Sequence, residues 1–196
     1  MEKKRVETIE LPKREFSVET KSNKVTIGSG HPLAVICGPC VIDSREMIMS
    51  TAKALADISQ KLALPIIFKS SFEKDNRGSE KNWSGPLADE GLKILREVRE
   101  EFGLPILSDI HRPEDIQKSA DTLDVIQIPA YMCQQTSLLI EAGKTGKAIN
   151  VKKGQFLAPW DMKNVAQKLV DSGNDNIMLC ERGARFGYNT LVSDMR

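Results

Sequence analysis

The strongest constraint on the fold of this sequence is a unit that recurs six times from Leu33 onward. Each unit begins with a short apolar run, continues with polar or glycine-bearing residues, and leads into a segment with helical periodicity. Runs rich in Ile and Val that alternate with helices predict a parallel sheet covered by helices on its outside, so the expected class is α/β. The runs are residues 33–37, 65–69, 105–109, 125–129, 148–152 and 177–182.

Units that repeat about every 30 residues fit either a barrel or an open doubly wound sheet. Both folds place their functional sites at the carboxyl ends of the strands. Ahead of these units, residues 5–29 alternate charged and β-forming residues, which predicts a small polar hairpin. We therefore divide the chain into an N-terminal hairpin or extension, residues 1–30, and a barrel domain, residues 31–196.

Several positions predict where the helices begin. Asp43, three residues before Glu46, offers a capping box for the first helix. Pro113 and Pro159 stand where helices prefer to begin, because proline suits the first helical turn.

Polar side chains are predicted to collect at the ends of several strands. Because side chains alternate along a strand, Ile149, Val151 and Lys153 share one face of the fifth run and Lys152 lies on the other. The aliphatic face should meet the helices, so Lys152 points inward. The same parity turns three further residues inward: Lys69, Gln127 and Arg182. In a barrel, Lys69, Lys152 and Arg182 would converge on one mouth, and such a cation cluster indicates a polyanionic ligand. For any one of them, a strand-end side chain that simply reaches solvent is the equal alternative.

Two further groups are candidates for chemistry. The loop of residues 70–79 offers Lys74 and Arg77 as charges, with Asn76 and Ser79 as directional hydrogen-bonding groups, although most charge-rich loops are merely solvated. Asp109 and His111 stand two residues apart at the end of the third run, a spacing that suits a carboxylate and an imidazole acting together. The alternative for His111 is a structural histidine.

Composition and motifs exclude several classes of function. With 28 basic and 27 acidic residues, the chain carries no excess charge to hold nucleic acid or an anionic membrane. The N-terminus lacks the apolar segment of a secretory signal, and no run reaches the length of a membrane span, so we expect a cytoplasmic protein. No Ser/His/Asp motif, P-loop or dinucleotide fingerprint is present.

Cys37-Gly-Pro-Cys40 has the spacing of a thiol-disulfide oxidoreductase. That hypothesis expects Trp before the first cysteine, where Ile36 stands, and a much shorter domain. As the turn after the first barrel strand, the same residues would direct the two thiols to opposite faces. Cys37 then belongs to the core, and Cys40 lies at the mouth as a candidate ligand for zinc or iron.

Four stretches carry a resemblance that runs from about Leu33 to the last residue. They are Phe68-Lys-Ser-Ser-Phe-Glu-Lys-Asp-Asn-Arg77, Val125-Ile-Gln-Ile-Pro-Ala130, Ile149-Asn-Val-Lys-Lys-Gly-Gln-Phe156 and Cys180-Glu-Arg-Gly-Ala-Arg-Phe-Gly-Tyr-Asn189. These closely resemble the 3-deoxy-D-manno-octulosonate 8-phosphate synthases. The Lys-Pro-Arg-Thr loop of a related aromatic-pathway enzyme, which uses erythrose 4-phosphate, is absent here, because Ser70 and Ser71 follow Lys69.

The resemblance implies a TIM (β/α)8 barrel, generally a homotetramer. The implied enzyme is a transferase that condenses phosphoenolpyruvate with D-arabinose 5-phosphate and water, releases phosphate, and supplies the core sugar of lipopolysaccharide. Its implied partners are therefore small phosphorylated substrates, with no nucleic acid and no membrane.

Residue by residue, the resemblance implies the following roles. Lys69, Lys74, Lys152 and Arg182 would bind the phosphate and carboxylate of phosphoenolpyruvate, and Gln127 would line the same pocket. Asn76 and Arg77 would bind the pentose phosphate, with Ser79 replacing a hydroxyl that the family usually has at Gly78. The expected catalytic residues are Lys69, Lys74, Asp109, His111 and Lys152.

Family members with cysteine at the position of Cys40 use a divalent metal, namely zinc, iron or manganese. By this resemblance, a His, a Glu and an Asp from the last part of the barrel complete the metal site. We expect Cys40 to be the one ligand that this chain supplies.

The chain departs from the family pattern at several positions. Ser84 and Gln134 replace arginines, Leu87 replaces a glycine, and Ser137 replaces an aspartate. Gln134 removes a charge-assisted contact to the sugar phosphate. The sequence ends with residues that match the sixth helix of the family, so we expect about six of the eight βα units. A noncatalytic or truncated barrel remnant is therefore the alternative to an active synthase, and a thiol-disulfide oxidoreductase is a more remote one.

Overall fold

The computed structural model describes residues 15–79 and 81–192. Its centre is a sheet of six parallel strands that follow one another in chain order and curl into part of a barrel. The predicted α/β class and the (β/α) barrel architecture are thus confirmed, and each predicted apolar run contains one strand. The strands are β3 (Val35–Cys37), β4 (Ile66–Lys69), β5 (Ile106–Asp109), β6 (Val125–Ile128), β7 (Ala148–Lys152) and β8 (Ile177–Cys180).

Five helices connect these strands and cover one face of the sheet. The predicted capping box is wrong by one residue, because Ser44 and not Asp43 precedes the first helix, and its side chain accepts a hydrogen bond from the Met47 amide at 3.2 Å. Pro113 does precede a helix, and Pro159 begins a short 3-10 turn that leads into another. The helices are α1 (Arg45–Leu62), α2 (Leu87–Phe102), α3 (Glu114–Ala120), α4 (Thr136–Lys144) and α5 (Met162–Asp171).

The main hydrophobic core lies between the sheet and the helices. Outward-facing strand residues such as Phe68, Ile126 and Val151 are fully buried there against helical side chains that include Leu95 and Leu138. This arrangement confirms the predicted strand parity from β4 to β7. At β8 the outward side is less covered, since Leu179 is 46% exposed.

A second, smaller core lies inside the curl of the sheet. It is closed by an antiparallel hairpin of β1 (Glu15–Glu19) and β2 (Lys24–Gly28). The predicted hairpin is therefore present within the described residues, but only one of its faces is polar, and residues 5–14 of the prediction lie outside them. The other face buries Phe16, Val18 and Val25 against Ile67, Leu107, Val125 and Ala148 of the sheet.

The hairpin is also tied to the sheet by a hydrogen bond. The Thr20 hydroxyl donates to the carbonyl of Gly103, just after α2, at 2.9 Å. Since Gly103 precedes β5, the hairpin covers the amino ends of the strands and leaves the carboxyl ends open. After β8 the chain forms a short hairpin of β9 (Ala184–Arg185) and β10 (Leu191–Val192). Over the described ranges, every helix is too short or too polar to cross a bilayer.

Candidate active site

The carboxyl ends of the strands bring a row of inward-facing polar residues together. Asp109 lies opposite Gln127 in the sheet register, and Gln127 lies opposite Asn150. Their side chains are linked in the same order, because the Asn150 amide donates to Gln127 Oε1 and the Gln127 amide donates to Asp109 Oδ1, each at 2.7 Å. All three residues are buried.

Asp109 is the centre of this site. Its Oδ1 accepts from Gln127 and from Lys152 Nζ at 2.8 Å, while its Oδ2 accepts from Ser71 Oγ and Lys74 Nζ, both at 2.7 Å. Burial raises the pKa of Asp109, but Lys152 and Lys74 outweigh it and hold that pKa well below the usual range. Asp109 is therefore a saturated carboxylate that positions two ammonium groups.

Three lysines surround this one carboxylate. The side chains of Lys74 and Lys152 are 11% and 21% exposed. Lys69 donates to the carbonyl of Cys40 at 3.1 Å. Burial lowers the pKa of Lys69 to about 8, with Lys74 lowering it further and Asp109 opposing the shift. Because three cations face one anion and each ammonium has three donors, the site has spare positive charge and spare donors for an anionic ligand.

Arg182 stands two residues after Cys180, the last residue of β8, and Cys180 lies opposite Lys152 in the register. The residue as a whole is exposed. The structure therefore brings Lys69, Lys74, Asp109, Gln127 and Lys152 together, while Arg182 is exposed beyond the end of β8.

The turn that carries Arg182 is held by a lysine that sequence parity assigned to the aliphatic face. Lys153 is only 3% exposed. Its ammonium donates to the carbonyls of Gly154, Leu157 and Gly183 at 3.1, 3.2 and 2.9 Å. Lys153 thus ties the loop after β7 to the turn after β8. The sequence signal for this role was the pair Lys152-Lys153 at the end of a predicted strand, where only one of the two side chains can point inward.

The loop of residues 70–79 divides into two parts. Ser70, Ser71, Phe72 and Glu73 are buried, and the Ser71 hydroxyl donates to Asp109. By contrast, the predicted pentose-phosphate residues Asn76, Arg77 and Ser79 are exposed, and the Ser79 hydroxyl accepts from the Lys81 amide at 3.2 Å. Ser71 is a site residue that sequence reasoning missed, because a loop has no parity from which to predict its direction.

His111 is near Asp109 but is not hydrogen-bonded to it. The residue is 8% exposed, and its Nδ1 is buried with no hydrogen-bond partner among the described residues. Burial lowers the pKa of His111, while Asp109, Asp75 and Glu73 oppose that shift. A ring nitrogen of His111 lies within 4.8 Å of a carboxylate oxygen of Glu73 and of Asp75, two residues that sequence reasoning had left out of the site.

The positions of Cys37 and Cys40 fit the predicted turn at the end of the first barrel strand. All four cysteines are free, Cys40 is exposed, and Cys37 packs against the main core, as predicted for a turn. Burial raises the pKa of Cys37, which makes its thiol a poorer nucleophile. In residues 15–79 and 81–192, the one group of three metal-ligating side chains is Glu73, Asp75 and His111, and it does not include Cys40.

Two positions that depart from the family pattern have clear local geometry. Gly78 has nothing within 4 Å of the place where a Cβ would stand, so a hydroxyl-bearing side chain would fit. Leu87, which replaces a glycine, has φ 69° and is 64% exposed. A branched residue in this left-handed conformation is strained, and the usual glycine would relieve that strain.

Comparison with known proteins gives one consistent result. The family model described as "DAHP synthetase I family" matches residues 15–196. A protein of Pelobacter propionicus is 58% identical over 172 residues, which is 88% of this chain and 63% of that protein. A protein of Trichlorobacter lovleyi is 54% identical over 178 residues, 91% of this chain and 65% of that protein.

A protein of Methylococcus capsulatus is 51% identical over 170 residues, 87% of this chain and 60% of that protein. All three relatives are named 2-dehydro-3-deoxyphosphooctonate aldolase. The chain therefore matches a little less than two thirds of the length of these relatives.

Proposed function

Because this chain belongs to the DAHP synthetase I family, we propose that it condenses phosphoenolpyruvate with D-arabinose 5-phosphate and water. The products are 3-deoxy-D-manno-octulosonate 8-phosphate and inorganic phosphate. The name of the relatives, 2-dehydro-3-deoxyphosphooctonate aldolase, is another name for the synthase of this product. The single observation that carries the proposal is the cluster of Lys69, Lys74 and Lys152 around Asp109 at the strand ends.

In the proposed reaction, the enol carbon of phosphoenolpyruvate forms a bond to the aldehyde carbon of the pentose. Water adds to the carbon that bears the phosphate ester, and the bond from that carbon to the ester oxygen then breaks to release phosphate. The substrates bring a carboxylate and two phosphates into one pocket. Fixed ammonium groups that hold such charges together lower the barrier by orientation and electrostatic stabilisation.

The lysines would share this work with Arg182. Lys69, Lys74, Lys152 and Arg182 would bind the carboxylate and phosphate of phosphoenolpyruvate, and Gln127 would support the pocket through Asp109. His111 would accept a proton from the attacking water, because its buried ring has a nitrogen without a partner and burial lowers its pKa. Asn76, Arg77 and Ser79 would bind the pentose phosphate, and their exposure suits a second substrate that enters from solvent.

The proposal includes a cytoplasmic location and a homotetramer. Sedimentation velocity of the purified chain would test the tetramer, and a monomer at micromolar concentration would contradict it.

The family resemblance implies a divalent metal at Cys40. Cys40 offers an exposed thiol, but within the part of the chain that is described it belongs to no group of three ligating side chains. The described residues therefore do not fit a metal at Cys40, and we assign no step of the reaction to it.

The decisive experiment measures phosphate release from phosphoenolpyruvate by the 196-residue chain. We expect release with arabinose 5-phosphate and much less with erythrose 4-phosphate, and each should be tested with added metal and with a chelator. Gly78→Ser and Gln134→Arg should lower the KM for arabinose 5-phosphate without changing that for phosphoenolpyruvate. No release under any condition would overturn catalysis by this chain and support the remnant hypothesis.

A further inference from the structure

We propose that Glu73, Asp75 and His111 form a binding site for a divalent cation such as Mn²⁺, separate from Cys40. Each residue supplies one ligand atom, and these three atoms lie within 4.8 Å of one another. Two carboxylate oxygens and one imidazole nitrogen are ligands that suit Mn²⁺, which favours oxygen and nitrogen over thiolate. The three residues come from two loops that follow neighbouring strands, β4 and β5.

The cluster contains more than surface acids. Glu73 is 7% exposed and His111 is 8% exposed, whereas Asp75 is exposed and leaves the site open to solvent. The Nδ1 atom of His111 is buried without a hydrogen-bond partner, although buried ring nitrogens are normally satisfied. An unsatisfied imidazole beside two carboxylates is the arrangement that a cation would complete.

Arg112 is the positive partner of both carboxylates in the structure. Its guanidinium lies 2.7 Å from Glu73 and 3.6 Å from Asp75. Because the Arg112 side chain is 53% exposed, it can move into solvent without burying an unpaired charge. Glu73 is buried and cannot move into solvent, so its carboxylate needs a positive partner even when Arg112 moves away. Arg112 and a divalent cation would therefore compete for the same two carboxylates.

The proposed cation site adjoins the lysine cluster around Asp109. Lys74 lies between Glu73 and Asp75 in the chain and donates to Asp109. A cation coordinated by His111 would also hold the ring to which the proposed reaction assigns a proton. The inference itself concerns binding and does not depend on that reaction.

The test is titration of the purified, metal-free chain with Mn²⁺, followed by the electron paramagnetic resonance signal of free Mn²⁺. Asp75→Asn and His111→Gln should each weaken binding by about tenfold or more. Arg112→Gln should tighten it several-fold because the competing guanidinium is gone, whereas Arg112→Lys should not. Two controls should bind like the original chain, namely Asp57→Asn, an equivalent exposed change on α1, and Cys40→Ser.

Three results would overturn the proposal. The first is no Mn²⁺ binding at millimolar concentration, and the second is binding that Asp75→Asn and His111→Gln leave intact. The third is binding that Cys40→Ser abolishes while Asp75→Asn does not. Circular dichroism of each variant separates lost binding from lost folding. Asp75→Asn is the variant least able to disturb the fold, because the Asp75 side chain is 38% exposed.

Discussion

The carboxylate of Asp109 and the ammonium of Lys152 lie 2.8 Å apart at the ends of strands that are not adjacent in the sheet. β6 lies between them and contributes Gln127, which donates to the same oxygen of Asp109. The contact therefore spans three strands, and Asp109 fixes the ammonium groups of Lys152 and Lys74 relative to each other. The arrangement predicts that Asp109 contributes through position and charge.

Asp109→Asn should destabilise the chain by about 3 kcal/mol, because removal of one partner from a buried ion pair leaves the other charges uncompensated. Urea denaturation measures this loss. Asp89→Asn, on an exposed carboxylate paired with Lys118, should cost less than about 1 kcal/mol. Equal effects of the two substitutions would contradict the role assigned to Asp109.

The same residue predicts the response of the chain to acid. The pKa of Asp109 is lower in the folded than in the unfolded chain, so its stabilisation is complete above the ordinary aspartate pKa. It is lost as the pH falls below about 4, through the unfolded pKa toward the folded one. The original chain should therefore lose more stability than the Asp109→Asn variant over that pH range. If the free energies of unfolding of the two chains fall in parallel with pH, the assignment of this acid response to Asp109 is wrong.

Lys69 predicts a second, opposite dependence on pH. Its folded pKa of about 8 lies below its ordinary value of 10.5, so its charge destabilises the fold below about pH 8. That penalty disappears as the pH rises from about 8 to about 10.5. Lys69→Met should stabilise the chain by about 1–3 kcal/mol at pH 7 and by little at pH 10.5.

Thermal unfolding at both pH values would measure this difference. Lys61→Met, at an exposed position near the end of α1, is the matched control and should show no such dependence. A Lys69→Met variant that is less stable than the original chain at pH 7 would refute the assignment.

Leu87→Gly should stabilise the chain by about 1 kcal/mol, because Leu87 has a left-handed φ of 69° that glycine adopts without strain. Leu87→Ala is the matched control, since alanine removes the same exposed side chain but retains Cβ. A gain in melting temperature with alanine equal to that with glycine would show that the strain argument is wrong.

Phe16→Ala should cost about 3 kcal/mol, because it removes a buried aromatic side chain from the inner core. Ser17→Ala, on the opposite face of β1, removes only the hydroxyl contact to Thr26 and should cost less than about 1 kcal/mol. Urea denaturation distinguishes them. A small effect of Phe16→Ala would mean that the hairpin does not stabilise the barrel.

Much of this fold could be predicted from the sequence because period-2 parity and the order of the runs determine which residues face inward. Lys69, Gln127 and Lys152 are placed as that parity predicts. His111 lies near Asp109 but is not hydrogen-bonded to it. Its ring also lies beside Glu73 and Asp75, two loop residues that alternation along β5 cannot predict as neighbours.

The loop contacts could not be predicted in this way. Ser71 and Glu73 reach the site through the path of the chain after β4, and that path depends on tertiary packing such as the burial of Phe72. Lys153 follows β7 by one residue, and its ammonium donates to carbonyl groups of two loops, which alternation does not predict. Alternation therefore predicts the side to which a strand residue points, but not the contacts that loops make.

The hairpin at the amino ends of the strands also constrains the order of folding. Phe16 and Val25 are synthesised first, but their contact surface is complete only after Ala148 of β7 has been made. Contacts between such distant parts of a chain form slowly because a long loop must close. We expect amide protons of β1 and β2 to become protected later than those of β4 in pulsed hydrogen exchange during refolding, and simultaneous protection would exclude this order.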